Sequence, residues 1–311
     1  MSSTLSGNSI ETQSVGASSA AEALTKAEGE LGQTRHDLPE KPLIVNAADG
    51  EAALLAFRDF WQYHELFHFL TWRDIKVRYK QTAMGAAWAI LQPLLIVLVF
   101  AVFVGLFVGV PTDGLPFLIF YYCGLLPWTF FANGVSTSSM ILIGNANLIN
   151  KVYFPRIFIP ASTVAAGVVD LLIASLILVG MMLYYRFTLA WPMLLLPGYL
   201  VLTVLLTLGL GIWIAALTVK YRDIRHALPF VLQLWMFLTP IIYPVSVVPE
   251  KWRPLLFINP LTGIVEGTRL SLLGRHLNWI ALALTVFTIL TILGCGLYTF
   301  RRVERSMADV I

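Results

Sequence analysis

IFIPASTVAAGVVDLLIASLILVGMMLYY, residues 157–185, decides the class of fold. Asp170 is its only charged residue. A helix needs roughly 20 mainly apolar residues to cross the hydrocarbon core of a bilayer, and this stretch exceeds that. A charge at a helix centre costs on the order of 2.5–3.5 kcal/mol on insertion scales. The Leu, Ile and Val residues around Asp170 offset it at roughly −0.3 to −0.6 kcal/mol each. The acid therefore does not veto a span. It reads either as a proton or cation site or as an acid hydrogen-bonded to a neighbouring helix. Ion coupling generally uses chains of polar groups, so a lone acid favours the second reading.

Working outward, windows without Asp, Glu, Lys or Arg run over 81–112, 114–150, 187–219, 226–249 and 277–300. They set six spans at about 84–110, 116–142, 158–185, 192–218, 228–247 and 278–300. Composition agrees with this count. Of the 311 residues, 58% are hydrophobic and 13% charged, and the mean hydropathy is +0.76. Soluble domains carry about 25% charged residues. An ordinary soluble enzyme, a disordered chain and a nucleic-acid-binding domain are thereby excluded. Cys123 and Cys295 both sit in apolar runs, as small buried hydrophobes do. Residues 1–42 are rich in Ser, Thr, Ala, Glu and Gly and lack the positive-then-apolar order of a secretory signal. They read as a disordered cytosolic tail.

The positive-inside rule orients the spans. With the N-terminus in the cytosol, 13 basic residues of the inner segments, from Arg58 to Arg305, face 5 outer ones: Arg186, Lys251, Arg253, Arg269 and Arg275. Both termini are then cytosolic.

Two regions depart from a plain six-helix drawing. Residues 55–80 alternate aromatics with charges, as an amphipathic helix lying along a membrane surface does. A helix packed on another domain would look the same. Residues 240–277 begin with Pro240, Pro244, Pro249, Pro254 and Pro260. Proline breaks a helix interior, so the fifth span ends or kinks near Thr239–Pro240. The apolar stretch 255–273 is too short for two crossings and reads as short re-entrant helices dipping into the outer leaflet, with Glu266 and Arg269 on one helical face. Irregular backbone at membrane depth must be buried in protein or line a water-filled path. The expected fold is an all-α membrane protein: six spans, an interfacial helix before them, and re-entrant outer helices between the fifth and sixth.

No Gly is followed by Lys anywhere, so the chain has no P-loop for ATP. His64 and His68 have helical metal-binding spacing but no third ligand nearby, and no metal site is expected. Aromatics make up 13% of the chain. Many fall where interface belts belong. Others run along the first, second and fifth spans, among them Phe103, Tyr121, Tyr122, Phe131, Trp235, Phe237 and Tyr243. Lipid-facing rings explain part of this set. Rings stacked along a path also suit sugars, whose C–H faces pack on aromatics. Gly105 and Gly109 form a G-x-x-x-G that permits close helix approach. The inner loop 142–157 is short and apolar, with Asn145, Asn147 and Asn150 before Lys151. It suits either docking into a groove on a soluble partner or packing under its own helices.

Three stretches, TWRDIKVRYKQTAMGAAWAILQPL (71–94), NLINKVYFPRIFIP (147–160) and LWMFLTPIIYPVSVVP with NPLTGIVEGTR (234–249, 259–269), resemble the permease subunit of type-2 ABC exporters of polysaccharides. That is the O-antigen, capsule and teichoic-acid export branch. The resemblance covers about 60–305, and with it a permease domain at 81–305. It implies a homodimer bound to two copies of a separate ATPase, with ATP and magnesium on that partner and no cofactor here. It implies export of a lipid-linked polysaccharide to the outer face of a bacterial inner membrane. It makes Asn147, Lys151, Tyr153, Phe154, Pro155 and Arg156 the ATPase-coupling segment. The helices around Pro260, Glu266 and Arg269 would cap the outer mouth, and the aromatics named above would line the channel. Arg73, Lys76, Arg78 and Lys80 would either meet a lipid diphosphate or bind ordinary anionic lipids. A permease for a small hydrophobic drug or lipid shares this architecture. An ion-coupled transporter would instead show inverted repeats, and none is visible between 80–185 and 190–300.

Overall fold

A computed structural model describes residues 63–80, 85–145, 154–187, 190–221, 223–275 and 278–304, with the backbone alone for 85–90, 106 and 108. The tail 1–42, the start of the interfacial segment, and Asn147, Lys151 and Tyr153 lie outside these residues. All the described regular structure is helical.

Helix α1 is His64–Lys80 and α2 is Gly85–Phe100, continued by a π-helical stretch, Ala101–Val108. Next come α3 (Phe117–Gly144), α4 (Phe158–Tyr184) and α5 (Leu196–Lys220), the last led in by a 3₁₀ turn over Trp191–Leu195. The series closes with α6 (Ile224–Leu238), α7 (Pro260–Leu272) and α8 (Trp279–Glu304). Four of these are long and apolar enough to cross a membrane: α3, α4, α5 with its lead-in turn, and α8. Two apolar helices are shorter, Leu91–Gly105 within α2 and its extension, and α6.

The shortness of α6 has a local cause. The fifth span was expected over 228–247, but its helix ends at Leu238. Thr239 is extended because Pro240 disfavours the helical region for the residue before it. Fifteen helical residues rise only about 23 Å, less than a bilayer core. The chain then runs through irregular backbone and short turns to α7.

Small residues let the helices approach closely, as in membrane bundles. A Cβ on Gly209 of α5 would come within 2.8 Å of Leu293 in α8, and one on Gly296 would strike the Gly209 carbonyl. Between α3 and α5, Gly134 faces Thr207 and Gly211 faces Ser138. Helix α7 nests against both neighbours through glycine, Gly263 on Thr285 of α8 and Gly267 on Tyr199 of α5. Gly105 also makes a close approach, but within the chain: a Cβ there would sit 2.8 Å from the Phe117 ring. Several threonine hydroxyls inside the bundle bond one turn back along their own helices. Thr203, Thr207 and Thr218 do so in α5 and Thr285 in α8.

The bundle has two ends. At one, α6 breaks and α7 is buried against α3, α5 and α8. At the other, Arg156 before α4 donates from its backbone to Glu304 Oε1 at 2.9 Å, joining the start of α4 to the end of α8.

Candidate functional site

Helix α1 leans along the first half of α4. The Phe67 and Tyr63 rings pack on Phe158, with centroids 6.0 and 6.4 Å apart, and Leu70 is buried. Further along, Ser162 donates to Asp74 Oδ2 at 3.4 Å. At the end of α1, Arg78 pairs with one oxygen of Asp170 and Tyr79 donates its hydroxyl to the other. Burial, then the Asp170 carboxylate, push the Tyr79 hydroxyl up to about 12. Its proton therefore stays in place to be donated. The lone acid of the apolar window thus has two partners on another helix.

This pair stands on the wall of a cleft of about 530 Å³ between α1, α2, α3 and α4. Gln92 and Pro93 come from α2, and Thr129, Phe130, Asn133 and Thr137 from one stripe of α3. The stripe repeats at intervals of about one helical turn, so one face of α3 is polar. Gln92, Asn133 and Thr137 are exposed.

Four basic residues were expected near lipid phosphates. Arg73 donates to Asp74 at 2.8 Å and Arg78 is held by Asp170, so both guanidinium groups face carboxylates. Lys76 lies over the Trp72 ring at 5.6 Å, and Lys80 is exposed.

In the coupling segment, Phe154 is buried among Leu142, Ile159, Ile212, Val219 and Phe300, with Leu66 of α1 packed alongside. It anchors the segment to the bundle. Pro155 and Arg156 are half-buried, and the Arg156 guanidinium reaches the Glu304 carbonyl at 3.3 Å.

The rings assigned to a path divide into two sets. Tyr121, Tyr122 and Phe131 are fully buried inside the chain, and the Tyr122 hydroxyl donates to the Ala174 carbonyl at 2.7 Å. Trp235 is half-buried, edge-on to Phe131 at 5.4 Å. Phe103 and Phe237 are exposed, at 60% and 55%. Tyr243 is half-buried, its hydroxyl 3.4 Å from the Phe237 carbonyl.

At the break, Asn259 is the hub. Its side chain caps α7 by accepting from the Leu261 N–H at 3.1 Å, beside Pro260 at the first helical position. The same oxygen accepts from Trp235 Nε1 at 3.1 Å, and its Nδ2 donates to Thr239 Oγ1 at 2.9 Å. Arg269 is 2% exposed. Its guanidinium donates to the carbonyls of Pro240 (2.6 Å), Ile241 (2.7 Å) and Phe120 (3.3 Å) and lies 3.6 Å from the Phe120 ring centre. Gly124 makes room, since a Cβ there would be 3.1 Å from the Arg269 Nη2. Glu266, one turn earlier, is half-buried beside Arg269 in a pocket of about 30 Å³. Sequence spacing put Glu266 and Arg269 on one helical face, and both line this pocket. The guanidinium bonds backbone, because the break leaves two carbonyls without helical partners.

The sequence favoured Asp170 as an acid bonded to a neighbouring helix, and α1 supplies those partners. Gln92, Asn133 and Thr137 were not among the predicted site residues. The usable signal was the polar stripe Thr129, Asn133, Thr137 inside an apolar window.

A model of the ABC-2 type transporter family matches residues 65–273. Among curated proteins, the O-antigen export system permease protein RfbA of Klebsiella pneumoniae is 28% identical over 249 residues, 79% of this chain and 95% of that protein. The protein of the same name from Myxococcus xanthus is 30% identical over 213 residues, 68% of this chain and 81% of its own. The polysialic acid transport protein KpsM of Escherichia coli is 25% identical over 255 residues, 76% and 92% of the two chains. The matched region runs from α1 through α7 and takes in both the cleft and the break: the chain belongs to the ABC-2 type transporter family, as a permease.

Proposed function

We propose that this chain is the transmembrane subunit of an ATP-driven exporter that carries a lipid-linked polysaccharide from the cytosol to the outer face of a bacterial inner membrane. The observation that carries this reading is the match along nearly the whole length of permeases named for O-antigen export. The polysialic acid transport relative extends the same substrate class.

The working unit is a homodimer with two copies of an ABC ATPase, which holds ATP and magnesium. Both termini are cytosolic, which puts the Arg156–Glu304 end inside and the α6 break outside. Asn147, Lys151 and Tyr153 form the docking segment, and Phe154, Pro155 and Arg156 root it in the bundle. Rooting matters because a docking element transmits force only if its base is fixed. The Phe154 cluster joins that base to α3, α5, α8 and α1. Movement imposed by the ATPase then reaches the ends of four helices together. The exposed apolar faces of α2 and its π-helical extension (Leu98, Phe103, Phe107) and of α6 (Phe230, Leu234, Phe237) supply surface for a second copy. Helix α7 and the turns before it close the outer mouth.

The test is co-expression with the candidate ATPase, purification through a tag on this chain, and hydrolysis measured with and without lipid-linked glycan. A stable complex with glycan-sensitive hydrolysis is the expected result. A folded chain that recruits no ATPase overturns the reading. Tyr153→Glu alone is the sharper docking variant, because Phe154→Glu would place a charge in the anchoring cluster.

A further inference from the structure

We infer that the cleft between α1, α2, α3 and α4 is a binding site for an uncharged, polyhydroxylated group, the sugar portion of the transported molecule. This rests on the exporter reading and adds to it a place and a chemistry.

Depth comes first. Asp170 lies about 18 Å along α4 from Phe158, and Asn133 about 16 Å from the end of α3, at 1.5 Å per residue. Both positions are near the middle of apolar helices long enough to span. Asn133 is exposed there, and Gln92 and Thr137 are exposed on the same cleft. Polar side chains facing hydrocarbon at that depth are costly and are found facing cavities instead. The cleft therefore holds water or a polar ligand.

Charge comes next. One oxygen of Asp170 faces Arg78 and the other accepts from Tyr79. The carboxylate and the guanidinium cancel, so the wall presents no net charge to a phosphate or a cation. What remains is amide and hydroxyl. Asn133 and Gln92 each carry donors and acceptors, and neither side chain is hydrogen-bonded among the described residues. The Thr137 hydroxyl gives its proton to the Asn133 carbonyl at 2.7 Å and keeps its lone pairs. Sugar hydroxyls both donate and accept, and match such a wall. Phe130 and Pro93 add apolar surface for the C–H faces of a ring. The volume of about 530 Å³ lies within the range of small-molecule sites.

The experiment uses the full chain in phosphatidylcholine nanodiscs. Cys295→Ala removes the exposed thiol and Asn133→Cys places a reporter in the cleft. The rate of modification by a charged, membrane-impermeant methanethiosulfonate is measured, with Leu176→Cys on the outer face of α4 as the lipid-facing control. Asn133→Cys should react and Leu176→Cys should stay silent. Dodecyl maltoside doped into the disc at about ten times its dissociation constant should slow the reaction about tenfold, and dodecyl phosphate should leave it unchanged. A silent Asn133→Cys means the cleft is filled by lipid or a second copy and overturns the proposal. So does equal reaction at Leu176→Cys, or slowing by the phosphate probe as much as by maltoside. Asp170→Asn should invert the preference, because Arg78 would then face the cleft uncompensated. Should Asn133→Cys fail to fold, Thr137→Cys reports on the same wall. ATPase co-purification from the same preparations separates the two readings. Its loss with labelling and protection intact counts against the exporter; the reverse counts against the cleft.

Discussion

At the α6 break, the two Nη atoms of Arg269 and the amide of Asn259 meet partners supplied by the same chain. Around the cleft the charged pair is matched, but among the described residues the amides of Gln92 and Asn133 beside it have no hydrogen-bond partner. Arg269 faces three carbonyls and an aromatic ring, and Asn259 serves Trp235, Thr239 and the N–H of Leu261. Gln92 and Asn133 face open space. The difference separates polar residues that hold the fold from polar residues left for something else. Satisfying a polar group within the fold avoids a cost of about 1–3 kcal/mol.

This contrast orders the expected effects of substitution. The largest belongs to Arg269. Arg269→Ala orphans carbonyls of Pro240, Ile241 and Phe120 and leaves a void, at about 3 kcal/mol or more. Thermal unfolding of the purified chain should show a large drop in melting temperature. Arg269→Lys should recover only part of it, since an ammonium lacks the planar fork. An unchanged melt for Arg269→Ala would break the comparison outright.

Asn259→Ala comes second. It removes the cap of α7 and the acceptor for Trp235, for about 2 kcal/mol. Tryptophan emission should report the change as Trp235 loses its partner.

Asp170→Asn should cost less, about 1 kcal/mol, because the side chains of Arg78 and Asp170 are 37% and 32% exposed and solvent screens the pair. Combining it with Arg78→Gln should recover part of the loss in a double-mutant cycle. A coupling energy of zero would remove the Arg78–Asp170 pair, though not the Phe67 and Tyr63 contacts with Phe158, from the support of α4.

The smallest stability effect is the most informative. Asn133→Leu should shift unfolding by no more than about 0.5 kcal/mol, while export of glycan by cells carrying it should fall. A variant that melts early would move Asn133 from the second class of polar residue to the first.

Most helices were legible from the absence of charge, and the break was legible from Pro240. Helix faces were less so. A helix apolar all round gives no sign of which side meets lipid and which meets protein. That is why Tyr121, Tyr122 and Phe131, which read as candidates for a conduit, turn out packed inside the bundle, while Phe103 and Phe237 face outward. The length of the fifth helix was overestimated because Ile241 and Ile242 are apolar without being helical. Asp170 shows a different limit. Its window announced a polar partner, but Arg78 lies 92 residues away, and no local periodicity connects them. Arg269 was visible as a basic residue in an apolar segment. Its acceptors are backbone atoms, and a carbonyl carries no residue identity to read.

The partners of Arg269 also bear on the order in which the chain is made. Phe120, Pro240 and Ile241 precede it by 149, 29 and 28 residues. Synthesis proceeds from the N-terminus, so each acceptor has left the ribosome before the guanidinium does. With 13 residues α7 is too short to traverse a bilayer. It needs no separate threading step and can settle directly into the pocket that α3 and the end of α6 have already formed. Arg269 is thus delivered after all three of its acceptors, and α8, which also packs on α7, follows it.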